Sequence, residues 1–301
     1  MAHELIYTSA ERGLRPGTRG YCTVAYTHGM MPQTLQLLEA LSAYRSMYNS
    51  AQEAAAVTEP VSWSHYKVTL LGRMSSVLSR ISPNGVDHTN RSNKLAHHIL
   101  ISSRERPTGG PLWLSSQEGM FIERWEGGPR MLDMAKTLPQ GDETDFSCAR
   151  WKELTGDAGQ AGMLASHFHS TPDKPVFLAF EPGMDMFGLL REAMALLSPE
   201  ERWNVTYNTY FTSLPAGATC VWRCCVPDSE ALREGRRNPK AIVMDLTKGL
   251  PPPPDNDYVR MARTGEGPLR MAQSEKEEKP KFKLIVRREI NQLNMKPRNL
   301  Q

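Results

Sequence analysis

Little in this sequence would take it out of water. Nowhere in its 301 residues does an apolar run reach the roughly 20 residues that a helix needs to cross a bilayer. The opening stretch, MAHELIYTSA, lacks the basic segment and apolar run of a secretory signal, so the expected compartment is the cytoplasm. Cysteine is scarce, and its odd count of five fits a reducing compartment better than a disulfide framework. The net charge of +3 is too small to imply a nucleic-acid or membrane surface by itself. Hydrophobic residues make up 40%, slightly under the usual globular share, as a polar tail on an ordinary core would give.

Catalytic motifs are missing as well. There is no Gly-x-Ser-x-Gly elbow, His-Glu-x-x-His helix or kinase signature set. The segment that comes nearest to a nucleotide site is YTSAERGLRPGTRGYCTVAYTHGM, Tyr7 to Met30. A phosphate loop needs a glycine, four residues, and then Gly-Lys-Ser/Thr. Counting from Gly13, Thr18 stands where the second glycine belongs, and no lysine follows. Gly13, Gly17 and Gly20 also miss the Gly-x-Gly-x-x-Gly spacing. The segment runs into GYCTVAY, a strand pattern, so no helix N-terminus faces it. What remains is a long β-hairpin loop with Pro16-Gly17 at the centre of a type II turn. Arg12, Arg15 and Arg19 are then left in solvent. Arginines on a stiff hairpin reach carboxylates and phosphates well, which makes these three candidate partner contacts.

ELIYTS and GYCTVAY read as strands. Pro32 opens a helix over PQTLQLLEALSAYRSMY, with Leu37, Leu41, Tyr44 and Tyr48 on one stripe. VSWSHYKVTLLG, MSSVLSRIS and KLAHHILIS read as further strands, and GPLWLSS and MFIERW as short edge elements. From Leu138 to Gly162 the chain turns polar and glycine-rich, so residues 138–162 are expected to link a first unit, 1–137, to a second, 163–250. In that second unit KPVFLAF is a strand, and Asp185 caps a helix with Phe187, Leu190, Met194 and Leu197 on one face. WNVTYNTYFT alternates as a strand, TCVWRCCV follows the LPAG turn, and DSEALREGRR and AIVMDL close the series as helix and strand. This β-α-β-β-α-β order is that of a ferredoxin-like split unit. The expected fold class is α+β: two packed mixed α/β halves with a flexible tail.

That tail is residues 251–301. PPPP favours an extended spacer, and Asp255 to Lys281 is charged and expected to be disordered. KFKLIVRREI is an apolar island, in which Phe282, Leu284, Ile285 and Val286 are candidate partner contacts. They could add a strand to a sheet edge, dock as a short helix, or pack back on their own domain. Truncation at Pro254 is expected to leave the melting temperature nearly unchanged if the tail is a docking device.

The histidines suggest one alternative. Neighbours on a strand face opposite sides, so His97 and His98 cannot share an ion. His97 lies on the face of Leu95, Ile99 and Ile101 and reads as a buried ring, leaving His98 the freer of the two. His167 and His169 project together only if ASHFHS is extended. A metal-dependent hydrolase using His98, His167 and His169 is therefore the alternative function. Cys220 and Cys224 flank Trp222 on one strand face, roughly 13 Å apart, too far to share a metal, and read as small buried hydrophobes. No cofactor is implied. The face of WNVTYNTYFT lacks the basic and aromatic pattern of an RNA-reading sheet, so nucleic acid is not an expected partner.

Two blocks carry a family resemblance. LIYTSAERGLRPGTRGYCTVAYTHGM…LLEALSAYR with NKLAHHILIS and GGPLWL resembles the type 2 N-terminal domain of the bacterial GTPase-associated protein family. LLREAMALLSPEERWNVTYNTYFTSLPAGATCVWRCCVPDSEAL with AIVMDL is similar to that family's middle domain. The resemblance spans roughly residues 4–250. It implies a non-enzymatic adaptor or regulator in a multi-protein bacterial system of the conflict or defence type, with a GTPase among its partners.

Overall fold

The computed structural model describes residues 2–45, 59–70 and 72–268. Strands β1 (His3–Ala10) and β2 (Gly20–Thr27) form an antiparallel hairpin. Helix α1 (Pro32–Leu41) follows, with Pro32 in its first turn where the missing N–H costs nothing. Strands β3 (Ser62–Leu70), β4 (Arg73–Val86) and β5 (Ser92–Ser102) make an antiparallel meander, and β5 pairs with β1. A short 3₁₀ turn, Ser103–Glu105, leads to α2 (Gly110–Ser115), and β6 (Arg130–Leu132) lies parallel to β2.

The chain continues through α3 (Ala149–Thr155), α4 (Gly159–Ser170), β7 (Val176–Ala179), α5 (Met186–Ala195) and α6 (Pro199–Arg202). Then come β8 (Tyr207–Asn208), β9 (Trp222–Cys225), α7 (Glu230–Arg237), β10 (Ile242–Asp245) and α8 (Asp257–Thr264). The ten strands of the described residues join one sheet, in the order β10-β7-β9-β8-β3-β4-β5-β1-β2-β6. Helices with a large mixed sheet make the fold α+β, and the two halves meet edge to edge where β3 pairs with β8.

The second half keeps the β-α-β-β-α-β order, but its strands are all parallel. The LPAG turn does not reverse the chain, because residues 209–221 carry it back so that β9 starts level with β8. Helices cover both faces of these strands. On one face α7 sits against Phe177 so closely that a Cβ on Gly235 would lie 2.6 Å from the ring. On the other face Phe168 of α4 meets Trp222 edge-on, ring centroids 6.1 Å apart.

α1 and α7 share the first face over a core that includes Leu5, Leu38, Tyr66, Val77, Phe177 and Leu232. The other face packs Leu78, Ile99 and Ile101 against Leu114, Met120 and Trp203. In α1 the buried stripe is Thr34, Leu35, Leu38 and Leu41, and the helix stops before Tyr44, so the expected 37/41/44 stripe is displaced. GPLWLSS, expected as a short edge element, is helical, and MFIERW forms no regular element, with β6 lying just beyond it.

Residues 138–162, expected to form a linker, contain α3 and the start of α4, and Trp151 is completely buried with its indole N–H donated to the Leu189 carbonyl at 2.7 Å. Glu192 explains why that helix starts there: its carboxylate accepts from the backbone N–H groups of Arg150 and Trp151 and from the Arg150 guanidinium. Burial pushes the Glu192 carboxyl above its ordinary range despite these donors.

The expected disorder from Asp255 also fails over its first part. Asn256 caps α8 by accepting from Val259 N–H, and Val259, Met261 and Ala262 are buried. α8 lies directly on α4, since a Cβ on Gly162 would come within 2.3 Å of the Tyr258 carbonyl oxygen. Arg263 adds a two-pronged pair with Asp157. The remainder of the expected flexible tail lies outside the described residues.

Candidate functional site

The β1–β2 loop is the hairpin that its residues dictate. Thr18 N–H donates to Arg15 C=O at 3.2 Å across Pro16-Gly17, and Gly17 has φ +79°, the geometry of a type II turn. The loop is tied back on itself, Gly13 N–H to Thr18 C=O and Leu14 N–H to Thr23 C=O, both at 2.9 Å. Gly13 is required by closeness, because a Cβ there would stand 2.3 Å from Thr18 Oγ1 and 2.7 Å from Cys22 Sγ.

Arg12, Arg15 and Arg19 are all exposed. Arg15 approaches Glu39 of α1 at 3.7 Å, and Thr23 holds that carboxylate with a 2.6 Å hydrogen bond. A shallow cavity of about 290 Å³ lies beneath, lined by Arg15 and Arg19 with Tyr7, Tyr21, Thr23 and Glu39. The Tyr7 and Tyr21 rings are nearly parallel, 12° apart. The hairpin thus presents guanidinium groups over an aromatic ledge. The other candidate contacts, Phe282, Leu284, Ile285 and Val286, lie outside the described residues.

The histidines do not assemble into a metal site. His98, expected to be the freer of its pair, is completely buried. Its Nδ1 lies 2.7 Å from Ser79 Oγ and its Nε2 2.8 Å from Ser42 Oγ. The reason is α1, whose end covers the strand face that a sequence reading leaves open. Burial lowers the His98 pKa to about 3. His97 is buried as expected, between Glu4, 3.0 Å away, and the Ile122 N–H.

His167 and His169 sit on helix α4, where positions two apart diverge; His169 meets Glu201 at 2.6 Å and His167 lies near Thr171. Among the described residues no group of three or more His, Cys, Asp or Glu could hold a metal ion. This removes the residue set on which the hydrolase alternative was built.

Three serine–histidine contacts, two on His98 and one on His65, were not anticipated from sequence. Ser42 Oγ also donates to Leu38 C=O at 3.1 Å, so His98 donates its Nε2–H to Ser42 and accepts the Ser79 O–H at Nδ1. This is a structural lock, and a ring with a pKa near 3 is a poor base at neutral pH. His65 is spanned by Val205 C=O at 2.7 Å and Ser76 Oγ at 2.8 Å. Both His65 and Ser76 have zero exposure, and burial holds His65 at about 3. All five cysteines are free and buried; burial pushes Cys148 and Cys225 up to about 12 and Cys220 and Cys224 upward too, so none is a ready nucleophile.

Sequence reasoning also missed Arg202, 1% exposed. It donates to the Leu197, Ala195 and Thr108 carbonyls and to Asp142, clamping the second half of the chain to the first. No described helix is long and apolar enough to cross a membrane.

Residues 1–141 match the model of the GTPase-associated protein 1 N-terminal domain type 2. Residues 148–248 match that of the GTPase-associated protein 1 middle domain. No curated protein matches the chain. Two domain models in family order, covering nearly all of the ordered sheet and its helices, establish that the chain belongs to the GTPase-associated protein 1 family.

Proposed function

We propose that this chain is a non-enzymatic adaptor or regulator in a GTPase-centred, multi-protein bacterial system of the conflict or defence type, working in the cytoplasm. It meets its partner through the β1–β2 hairpin. Family membership supports the GTPase link. The observation that carries the reading is the placement of Arg12, Arg15 and Arg19 on a stiffened, exposed turn. Neither Arg12 nor Arg19 has an ion pair among the described residues, and Arg15 has only the loose contact to Glu39. Guanidinium groups held this way are preorganised for carboxylates or phosphates on another surface. Phe282, Leu284, Ile285 and Val286 form a second proposed contact.

The test is biolayer interferometry between the full chain and any GTPase-like product of its neighbouring genes, loaded with GDP or with a non-hydrolysable GTP analogue. Binding is expected in at least one nucleotide state. The triple variant Arg12→Glu, Arg15→Glu, Arg19→Glu is expected to bind at least about tenfold more weakly, chiefly through a slower on-rate. Its melting temperature is expected to stay unchanged. No binding in either state, or equal binding by the triple variant, defeats the proposal.

A further inference from the structure

Toward the turn of the β3–β4 hairpin, on the sheet face away from α1, two cations are neighbours. Lys67 of β3 and Ser76 of β4 are cross-strand partners, so their Cβ atoms stand roughly 4.5–5.5 Å apart on one face. Arg106, just past the 3₁₀ turn, reaches the same point and donates from Nη2 to Ser76 Oγ at 3.0 Å. Asn204 arrives from the second half of the chain, and its Oδ1 accepts from Lys67 Nζ at 2.6 Å. The place is a seam between the halves, and it is open to solvent. Lys67 and Arg106 are half-buried and Asn204 is exposed. Met74, two residues before Ser76 and so on the same strand face, is 52% exposed.

Neutral groups hold both cations in place. Val205 C=O, an acceptor, lies 2.7 Å from His65 Nδ1, so that nitrogen carries the ring's proton. His65 Nε2 then accepts the Ser76 O–H at 2.8 Å. With its proton turned inward, Ser76 can only accept from Arg106. The Arg106 guanidinium also lies over the Trp203 ring, 5.4 Å from its centroid. The Trp203 indole N–H is in turn donated to Pro107 C=O at 2.6 Å. His65 and Ser76 have no exposure, so the support under the guanidinium is packed core.

Neither Lys67 nor Arg106 has an ion pair among the described residues, in contrast to Arg202 with Asp142 and Arg191 with Glu143. Of the five N–H donors of a guanidinium, Ser76 takes one, and Arg106 Nε is buried with no acceptor. Burial lowers the pKa of both cations, and the charge of Arg106 lowers that of Lys67 further. Like charges held side by side are unfavourable, and an anion bound between them offsets that cost. A guanidinium fork beside an ammonium is the donor set that recognises phosphate. A phosphate dianion balances two positive charges, whereas one carboxylate balances one.

We propose that Lys67, Arg106 and the Asn204 amide bind the phosphate group of a small anion, either free phosphate or a phosphomonoester. This site does not rest on the reading of the β1–β2 hairpin. Calorimetry and phosphorus NMR on the full chain use inorganic phosphate in one arm and glucose 6-phosphate and adenosine 5′-monophosphate in the other. Chloride matches the ionic strength throughout. Equal affinity in the two arms assigns the site to free phosphate, and tighter binding of an ester assigns it to the larger molecule.

Saturable binding is expected in at least one arm. Lys67→Met keeps the apolar stem, removes the charge, and is expected to weaken binding about tenfold or more. Because it relieves the repulsion, its melting temperature in chloride is expected to be no lower than that of wild type, so lost binding is not lost folding. Arg106→Gln is expected to weaken binding similarly; where it disturbs the packing on Trp203, Lys67→Met decides. Arg237→Gln, an exposed position on α7, is expected to bind as wild type does. The proposal is overturned if neither arm shows saturable binding up to about 10 mM, or if Lys67→Met binds as wild type does. It is also overturned if Arg237→Gln loses binding equally, or if a glutamate-rich peptide binds more tightly than every phosphate.

Discussion

Replacing Arg202 with alanine tests whether the two halves of the chain are held as one body by a single buried cation. Nε donates to Leu197 C=O at 3.0 Å and Nη2 to Ala195 C=O at 3.0 Å. Nη1 serves Thr108 C=O at 3.1 Å and Asp142 Oδ1 at 2.6 Å. Truncation strands carbonyls beyond the end of α5 in the interior, each costing about 1–3 kcal/mol. It also leaves a void beside Gly110, where a Cβ would stand 3.2 Å from Cδ and 3.5 Å from Cγ of Arg202, both of which alanine lacks. Asp142, 39% exposed, can turn to water, so its loss of a partner adds little. Two such carbonyls and the lost packing of the side chain give an expected loss of about 3–5 kcal/mol. At roughly 2 °C per kcal/mol for a body of this size, the melting temperature falls about 6–10 °C.

Urea unfolding followed by tryptophan fluorescence gives the free energy, and differential scanning fluorimetry gives the temperature. Arg202→Lys is expected to recover only part of the loss, because an ammonium cannot copy the planar fork. Asp142→Asn is expected to cost under about 1 kcal/mol. If Arg202→Ala stays within about 1 kcal/mol of wild type, or if Asp142→Asn proves equally damaging, the reasoning is refuted.

Gly162→Val drives a side chain into the Tyr258 backbone and is expected to cost about 1–3 kcal/mol by overpacking; limited proteolysis then cuts between residues 251 and 264, whereas an uncut α8 refutes the packing. Ending the chain at Pro254 is expected to lower stability by exposing the surface under Val259, Met261 and Ala262, the reverse of the sequence-based expectation, and an unchanged melting temperature would restore the docking-tail view. His65 and His98 have a folded pKa of about 3 against 6.5, so the folded state holds them neutral while the unfolded state takes up protons. Their stabilisation is full above pH 6.5 and declines as pH falls toward 3, by up to about 1.4 kcal/mol per pH unit for each ring. Urea titrations between pH 7.5 and 4.5, above most of the carboxylate range, check this; a flat profile contradicts it. The buried thiols are expected to resist a disulfide-exchange reagent at pH 8 until the protein is unfolded, and a fast-reacting cysteine in the native state contradicts their burial.

Much of both halves was legible because its signals are local. Pro16-Gly17 permits one type of turn, the alternation in VSWSHYKVTLLG and KLAHHILIS has the period of a strand, and Asp185 does cap its helix, accepting from Gly188 N–H at 2.9 Å. The candidate arginines were legible for the same reason, since a long polar hairpin loop leaves them in solvent. GPLWLSS, expected as a short edge element, is a helix because Leu114 packs with Leu78, Ile99, Ile101 and Trp203, and those contacts are distant in sequence. α8 was missed because its few apolar residues are sparse among charges and find their partner only on α4.

The linear chain alone settled which short segments turn, extend or coil, and that no phosphate loop is present, because those outcomes depend on sterics and hydrogen bonds within a few residues. Assembly settled which faces are covered. His98 became inaccessible only when the end of α1 came down on it, and the strands of the second half became parallel only when their crossovers packed on opposite faces of the sheet. Burial is a property of what arrives from elsewhere in the chain, so no single stretch of residues encodes it.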